Sequence, residues 1–281
     1  MTDESIVSKG FTRVDDHADP DQLVVGMDET ARWPAVRALR DWERAQLGLA
    51  EGDRILDVGC GTGDVTIELA GLVAPTGRAV GVDASDQMLT AARARATAAG
   101  VAATFEVGNA TGLAFPDDAF DAVRSERTLQ WVADPRTAMA EMVRVTRPGG
   151  RICVTDTDWA SLIVEHPSPE VSARFFAALA GLRGDQTTVG RRLVNLLRDA
   201  GATEVTGTAQ THVILQWDPD VDPHIPGFFP IRMIAEDFAA QGLISAEDAR
   251  VAAEGLEDAA RNDRLFISLT MFAAAGRVPQ T

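Results

Sequence analysis

Residues Arg54-Ile55-Leu56-Asp57-Val58-Gly59-Cys60-Gly61-Thr62-Gly63-Asp64 join a short aliphatic run to a helical pattern through three alternating glycines. This junction constrains the chain more than any other segment, because a buried strand that enters a helix through glycines is the first unit of a parallel α/β sheet. Glycines at 59, 61 and 63 let the backbone approach a ligand and adopt torsions closed to residues with a side chain. A pyrophosphate dinucleotide would sit on such a loop, at the positive end of the following helix. Its fingerprint wants Gly or Ala where this chain has Asp64, however, and Asp57 stands just before the loop. Two partly exposed carboxylates would repel a pyrophosphate by about 1 kcal/mol each. A nucleotide-like ligand bearing positive charge is expected instead.

From Arg54 to about Asp158 short β-branched runs alternate with amphipathic segments, as parallel strands joined by crossover helices do. Strands are expected at 55–58, 79–82, 104–107, from about 118–123, and at 151–155. Ser85 and Gly100 bound one helix as cap and stop; Asp134-Pro135 starts another, which Arg147-Pro148-Gly149-Gly150 ends. Further on, Phe175, Phe176 and Leu179 suggest a helix, Leu193, Leu196 and Leu197 a second, and 205–216 a long strand. The prolines from Pro219 to Pro230 then lead into two helices, with Ile231, Ile234 and Phe238 on one face and Ser245 capping the second. The expected division is an N-terminal helical cap over 1–50, a core over 51–216, a helical lid insertion over 217–262 and a final strand within 263–281.

Lysines and arginines number 26 against 42 acidic residues, a net charge of −16 that repels a phosphate backbone or an anionic membrane, so neither nucleic acid nor membrane is an expected partner. Two cysteines provide neither a disulfide framework nor a CxxC motif, no apolar window is long enough for a membrane span, and the acidic N-terminus is no secretory signal. A cytoplasmic protein is expected; a homo-oligomer is compatible with the sequence. No His/Glu pair has metal-binding helical spacing and no Ser sits in a G-x-S-x-G elbow, so no metal site or serine-hydrolase centre is expected.

The ILDVGCGTG loop, VGVDAS at the end of the second strand, FPDDAFDAV entering the fourth and RVTRPGG before the fifth occur in order over roughly 54–158. Together they resemble the class I S-adenosylmethionine-dependent methyltransferases, in the subgroup of menaquinone and ubiquinone biosynthesis and natural-product tailoring enzymes. The resemblance implies a Rossmann-like, mostly parallel seven-stranded sheet flanked by helices, with an α-helical lid before the last strand. It implies S-adenosyl-L-methionine as cofactor, with Gly59, Cys60, Gly61 and Gly63 at its methionine part and Asp57 near its ammonium. Asp83 would accept from the ribose hydroxyls, with Ala84, Ser85 and Met88 flanking the adenine. Asn109, with Ala110, stands where the family often has Asp accepting from the adenine amino group, and Glu126 where the family contacts cofactor and faces substrate.

The function implied is methyl transfer to a small, partly hydrophobic acceptor; a nicotinamide-dependent oxidoreductase and a non-catalytic cofactor-binding protein are the rival readings. Acidic net charge and the apolar residues Phe228, Phe229, Ile231, Met233 and Ile234 favour a neutral or cationic acceptor. Trp33, Trp131 and Trp159, with Phe228 and Phe229, are candidate walls of an apolar pocket. Among the histidines, His17 and His166 border the expected substrate region, whereas His212 lies in a strand and His224 in the turn-rich entry to the lid. Asp158 and Glu126 are candidates for orienting an acceptor. No catalytic residue is singled out.

Overall fold

The computed structural model describes residue 15, residues 20–227 and residues 230–280, the side chains of 20–23 excepted. His17, Phe228 and Phe229 lie outside the described residues. The chain enters through α1 (Pro20–Ala31) and α2 (Pro34–Leu47). It then alternates β1 (Arg54–Val58), α3 (Asp64–Val73), β2 (Arg78–Asp83), α4 (Asp86–Ala99), β3 (Ala103–Val107), β4 (Phe120–Glu126), α5 (Pro135–Val145) and β5 (Thr146–Val164). α6 (Pro169–Arg183), α7 (Val189–Asp199), β6 (Thr203–Ile214), α8 (Ile231–Ala240), α9 (Ala246–Arg261) and β7 (Ile267–Arg277) follow.

The strands form one seven-stranded sheet in the order β3-β2-β1-β4-β5-β7-β6. Strands β1 to β5 pair in parallel, and β7 runs antiparallel to both β5 and β6. This is the mostly parallel, Rossmann-like sheet implied by the motifs, with α8 and α9 inserted before the last strand. Strand order reverses beside β1, with β2 on one side and β4 on the other, so the crevice for a ligand opens at their C-terminal ends.

Local chemistry sets the helix ends. The Ser85 hydroxyl accepts the Met88 N–H at the start of α4, and Gly100, at φ 66°, stops it. Asp134 accepts the Arg136 and Thr137 N–H groups ahead of α5, and Pro135 occupies the first helical turn. One strand is much longer than expected. β5 runs for 19 residues rather than from 151 to 155: it starts early, with Thr146 opposite Phe120 of β4, and antiparallel β7 continues the ladder past the parallel sheet, through an irregularity between Asp158 and Ile163, to Val164 opposite Ile267.

The apolar side chains collect in separate clusters. Leu56, Val58, Val123, Met139, Ile152 and Leu196 pack one face of the parallel sheet. Ile55, Leu69, Val73 and Cys153 belong to another cluster, together with Leu47 of α2. A further cluster joins Val36 and Leu39 of α2, Phe175 of α6, Phe238 of α8, Leu256 of α9 and Met271 of β7. α6 therefore packs with the inserted helices, although its sequence gives no sign of that association.

Candidate active site

Beyond the ends of β1, β2 and β4 lies a cavity of about 500 Å³. The β1–α3 loop enters its wall with Gly59 and Gly61, whereas Gly63 and Cys60 do not line it. Gly63 serves packing: at φ 78° a Cβ there would lie 2.7 Å from the Phe105 ring and 2.8 Å from the Ala92 methyl. A Cβ on Gly59 would fall 2.0 Å from Thr128 Oγ1, so only glycine fits between that hydroxyl and the cavity. The Cys60 sulfur packs over the missing side chain of Gly81, and burial pushes its thiol well up.

Asp83, Ala84, Met88, Asn109 and Ala110 continue the wall. The two carboxylate oxygens of Asp83 accept the Gly61 N–H at 2.8 Å and the Ser85 N–H at 3.0 Å. Burial pushes this carboxyl up against the opposing pull of the amides, and each oxygen keeps acceptor capacity for a ligand. Ser85 is absent from the lining: its hydroxyl caps α4 at 3.1 Å from Met88 N and meets Asp15 at 2.5 Å. The Asn109 amide oxygen already accepts from the Thr111 N–H and hydroxyl, both at 2.9 Å. Its open group is the NH2 donor, not the acceptor expected for an adenine amino group.

Asp57 does not line the cavity. It and Arg124 are register partners on β1 and β4, so their side chains share a sheet face, and α2 lays Glu43 against them. Arg124 Nη1 donates to Asp57 at 2.8 Å, Nη2 to Glu126 at 2.9 Å, and Nε and Nη2 both to Glu43. The Thr66 hydroxyl holds the other Asp57 oxygen at 2.7 Å. Glu126 does line the cavity, but Arg40 forks onto it with two bonds of 2.8 Å. Burial alone would raise its carboxyl; the Arg40, Arg124 and Arg127 guanidiniums hold it far below the usual carboxylate range. Glu43, whose salt-bridge partner is Arg124, is pushed up to about 7 by burial. The difference follows from how many cations each carboxylate meets.

Asp64 is also paired with a cation. Arg95 Nη1 meets it at 2.6 Å while Nη2 holds Asp28 of α1 at 3.0 Å. The two carboxylates expected to repel a pyrophosphate are thus each paired with an arginine of this chain, which weakens that repulsion, although each arginine is shared with at least one further carboxylate.

α1 and the loop between β6 and α8 add to the wall, with Met27, Glu29 and Thr30 from the first, Asp222, His224 and Gly227 from the second, and Trp33 just beyond α1. The Gly227 N–H donates to Glu29 at 3.0 Å and joins the two. Trp33 stacks on His212 with ring centroids 3.9 Å apart. Trp131 and Trp159 also line the cavity, and the Arg183 guanidinium lies over their rings at 4.2 and 4.7 Å. Burial lowers Arg183 to about 10, which leaves it a cation.

Two candidates for the acceptor lie elsewhere. His166 borders a separate cavity of about 80 Å³ beneath the inserted helices. Its Nδ1 accepts the Ser168 N–H at 2.9 Å and its Nε2 reaches the Ala252 carbonyl at 3.2 Å, so it ties the exit of β5 to α9. Asp158, with 0% exposure, is clasped by Arg191 at 2.5 and 2.6 Å. His224, by contrast, stands at the main cavity with its Nδ1 2.8 Å from Asp222 Oδ1. Its Asp-x-His spacing was the available sign in the sequence.

A nucleotide-sized cavity at the reversal of strand order, walled by a glycine loop and an acid ending β2, defines a Rossmann-like ligand-binding protein. Residues 49–200 match the family model described as a methyltransferase domain, and the chain belongs to that family. It is 38% identical over 189 residues to an uncharacterized 37.1 kDa protein of transposon TN4556 from Streptomyces fradiae, covering 67% of this chain and 54% of that one. It is 37% identical over 154 residues to the demethylmenaquinone methyltransferase of Symbiobacterium thermophilum, covering 54% of this chain and 59% of the relative. The chain therefore spans little more than half the length of these relatives. A Haemonchus contortus phosphoethanolamine N-methyltransferase solved with S-adenosyl-L-methionine shares the fold, with a TM-score of 0.58 at 17% identity over 96% of this chain and 60% of that one. No helix among the described residues is long and apolar enough to cross a membrane.

Proposed function

We propose that the protein transfers a methyl group from S-adenosylmethionine to a small, partly hydrophobic organic acceptor. The observation that carries this reading is the single cavity that includes both Gly59, Gly61 and Asp83 at one part of its wall and Trp33, Trp131 and Trp159 at another. The residues fit the cofactor. Gly59 and Gly61 bring bare backbone to the wall, Asp83 keeps acceptor capacity for ribose hydroxyls, Met88 and Ala84 offer apolar contact to a purine, and the Asn109 NH2 suits a ring nitrogen. Asp57, Cys60, Gly63 and Ser85 support this wall from behind. When bound, the cofactor supplies an activated methyl group on a cationic sulfur.

The work left to the chain is positioning and exclusion of water. Alignment of reacting groups contributes up to about 7 to 11 kcal/mol of barrier reduction in favourable systems. α1 and the β6–α8 loop, joined through Gly227 and Glu29, support a role as the enclosure over the acceptor. A cytoplasmic location, and a division into cap, core, lid and final strand, belong to the same reading.

Calorimetric titration with S-adenosylhomocysteine and, separately, with NADH tests it. The expected result is saturable binding of the first and none of the second. Binding of NADH with exclusion of S-adenosylhomocysteine would overturn the proposal.

A further inference from the structure

We propose that His224 and Asp222 form a general-base dyad for an acceptor whose reacting atom is the hydroxyl oxygen of an aromatic ring, an inference that rests on the methyl-transfer reading above. Both residues line the main cavity. An ionised carboxylate has no proton to give, so in the 2.8 Å contact between Asp222 Oδ1 and His224 Nδ1 the proton is on Nδ1, and in the neutral ring the lone pair is then on Nε2. Asp222 is kept ionised chiefly by the His224 backbone N–H, which lowers its carboxyl, with the imidazole adding to the effect. The loop that carries the dyad is pinned: Trp217 Nε1 donates to the Asp222 carbonyl at 2.8 Å, and the Gly227 N–H to Glu29 at 3.0 Å. With its side chain 33% exposed, the imidazole is accessible.

The other charged groups at the cavity have contacts of their own. Glu126 is held as an anion by Arg40, Arg124 and Arg127 and is a poor proton acceptor. Asp83 binds two backbone amides beside the glycine loop, Glu29 accepts the Gly227 N–H, and Arg127 donates to Thr30. Trp33, Trp131 and Trp159 line the same cavity and offer flat apolar contact to an aromatic ring. In the proton step the acceptor O–H bond breaks with its electron pair left on oxygen, and a new N–H bond forms at Nε2. The products are a phenolate, ready to act as nucleophile, and an imidazolium paired with Asp222; the imidazolium afterwards returns its proton to water.

The probe is 4-nitrophenol, whose phenolate absorbs visibly, titrated against the full chain from about pH 5 to pH 8 with and without S-adenosylhomocysteine. The expected result is that bound probe ionises about one pH unit below free probe. That displacement disappears in His224→Gln and shrinks in Asp222→Asn, while S-adenosylhomocysteine affinity and the circular dichroism spectrum stay those of the parent. Probe that fails to bind, that ionises as it does free in solution, or that keeps its displacement in His224→Gln overturns the dyad. Loss of S-adenosylhomocysteine binding by the parent protein counts against the methyl-transfer reading instead, and the titration without it then decides the dyad.

Discussion

The ends of β1 and β2 lie side by side in the sheet, and their carboxylates have opposite surroundings. Asp57 is 1% exposed and meets a guanidinium and a hydroxyl, within a cluster in which Arg124 also holds Glu43 and Glu126. Asp83 meets only backbone amides and stands at the cavity wall. Each oxygen of the first accepts from a side chain of this chain, away from the cavity. The second is oriented by the amides and keeps lone pairs for a ligand. A carboxylate next to a binding loop is therefore a ligand contact only if the fold leaves it without a cation, and its position in the motif does not reveal that.

The largest effect expected from this contrast comes from Arg124→Met. Removing the guanidinium leaves Asp57 and Glu43 buried without their cation, and breaking such a cluster costs about 3–5 kcal/mol. Urea unfolding should show a corresponding fall in stability at neutral pH. A variant as stable as the parent would mean that the cluster is not the anchor between α2 and the sheet that its geometry describes.

The difference between the two strand ends also shows what is legible in a sequence. The strands, the glycine loop, the Ser85 and Asp134 caps and the two inserted helices are written in local periodicity and capping chemistry, and the structure contains each of them. The fate of Asp57 is not local. Its partner Arg124 is 67 residues away and reaches it only because β1 and β4 pair in one particular register. The length of β5 depends in the same way on β7, more than a hundred residues later. His224 sits in a loop without periodicity, and only the fold brings it to the cavity.

Asp156 on β5 sharpens the comparison, since it too is held by backbone amides, those of Thr157 and Gln130, yet is 1% exposed and does not line the cavity. Burial pushes its carboxyl up to about 7 from 3.8, with the amides and Arg183 pulling the other way. Between these values the folded state keeps a proton that the unfolded chain releases, so stability falls as pH rises from about 4 to about 7 and is level above. The loss is on the order of 4 kcal/mol. Asp156→Asn, which retains an acceptor for one of the amides without ionising, should remove the share of Asp156 from that slope in unfolding measurements across this range and leave the share of Glu43, which burial also raises to about 7. An unchanged slope would show that Asp156 is ionised in the folded protein and matched by Arg183.

Asp83→Ala gives the smallest change in free energy and the most direct comparison with Asp57. If Asp83 receives the ribose hydroxyls, its loss should weaken S-adenosylhomocysteine binding by about 1.5–3 kcal/mol, as expected for a hydrogen bond to a charged acceptor. Asp57→Asn, measured by the same calorimetry, should leave that affinity nearly unchanged while lowering the unfolding midpoint, because its carboxylate is satisfied inside the protein. Two effects of the Asp83 change need to be separated. The Gly61 and Ser85 N–H groups lose their acceptor together with the ligand, so part of any loss reflects a loosened loop. Asp83→Asn keeps an acceptor for one amide but gives up the charge and one acceptor position. An affinity for the Asn variant midway between parent and Ala would assign the difference to the ligand contact; equal affinities for Asn and Ala, with matching losses of stability, would assign it to the loop.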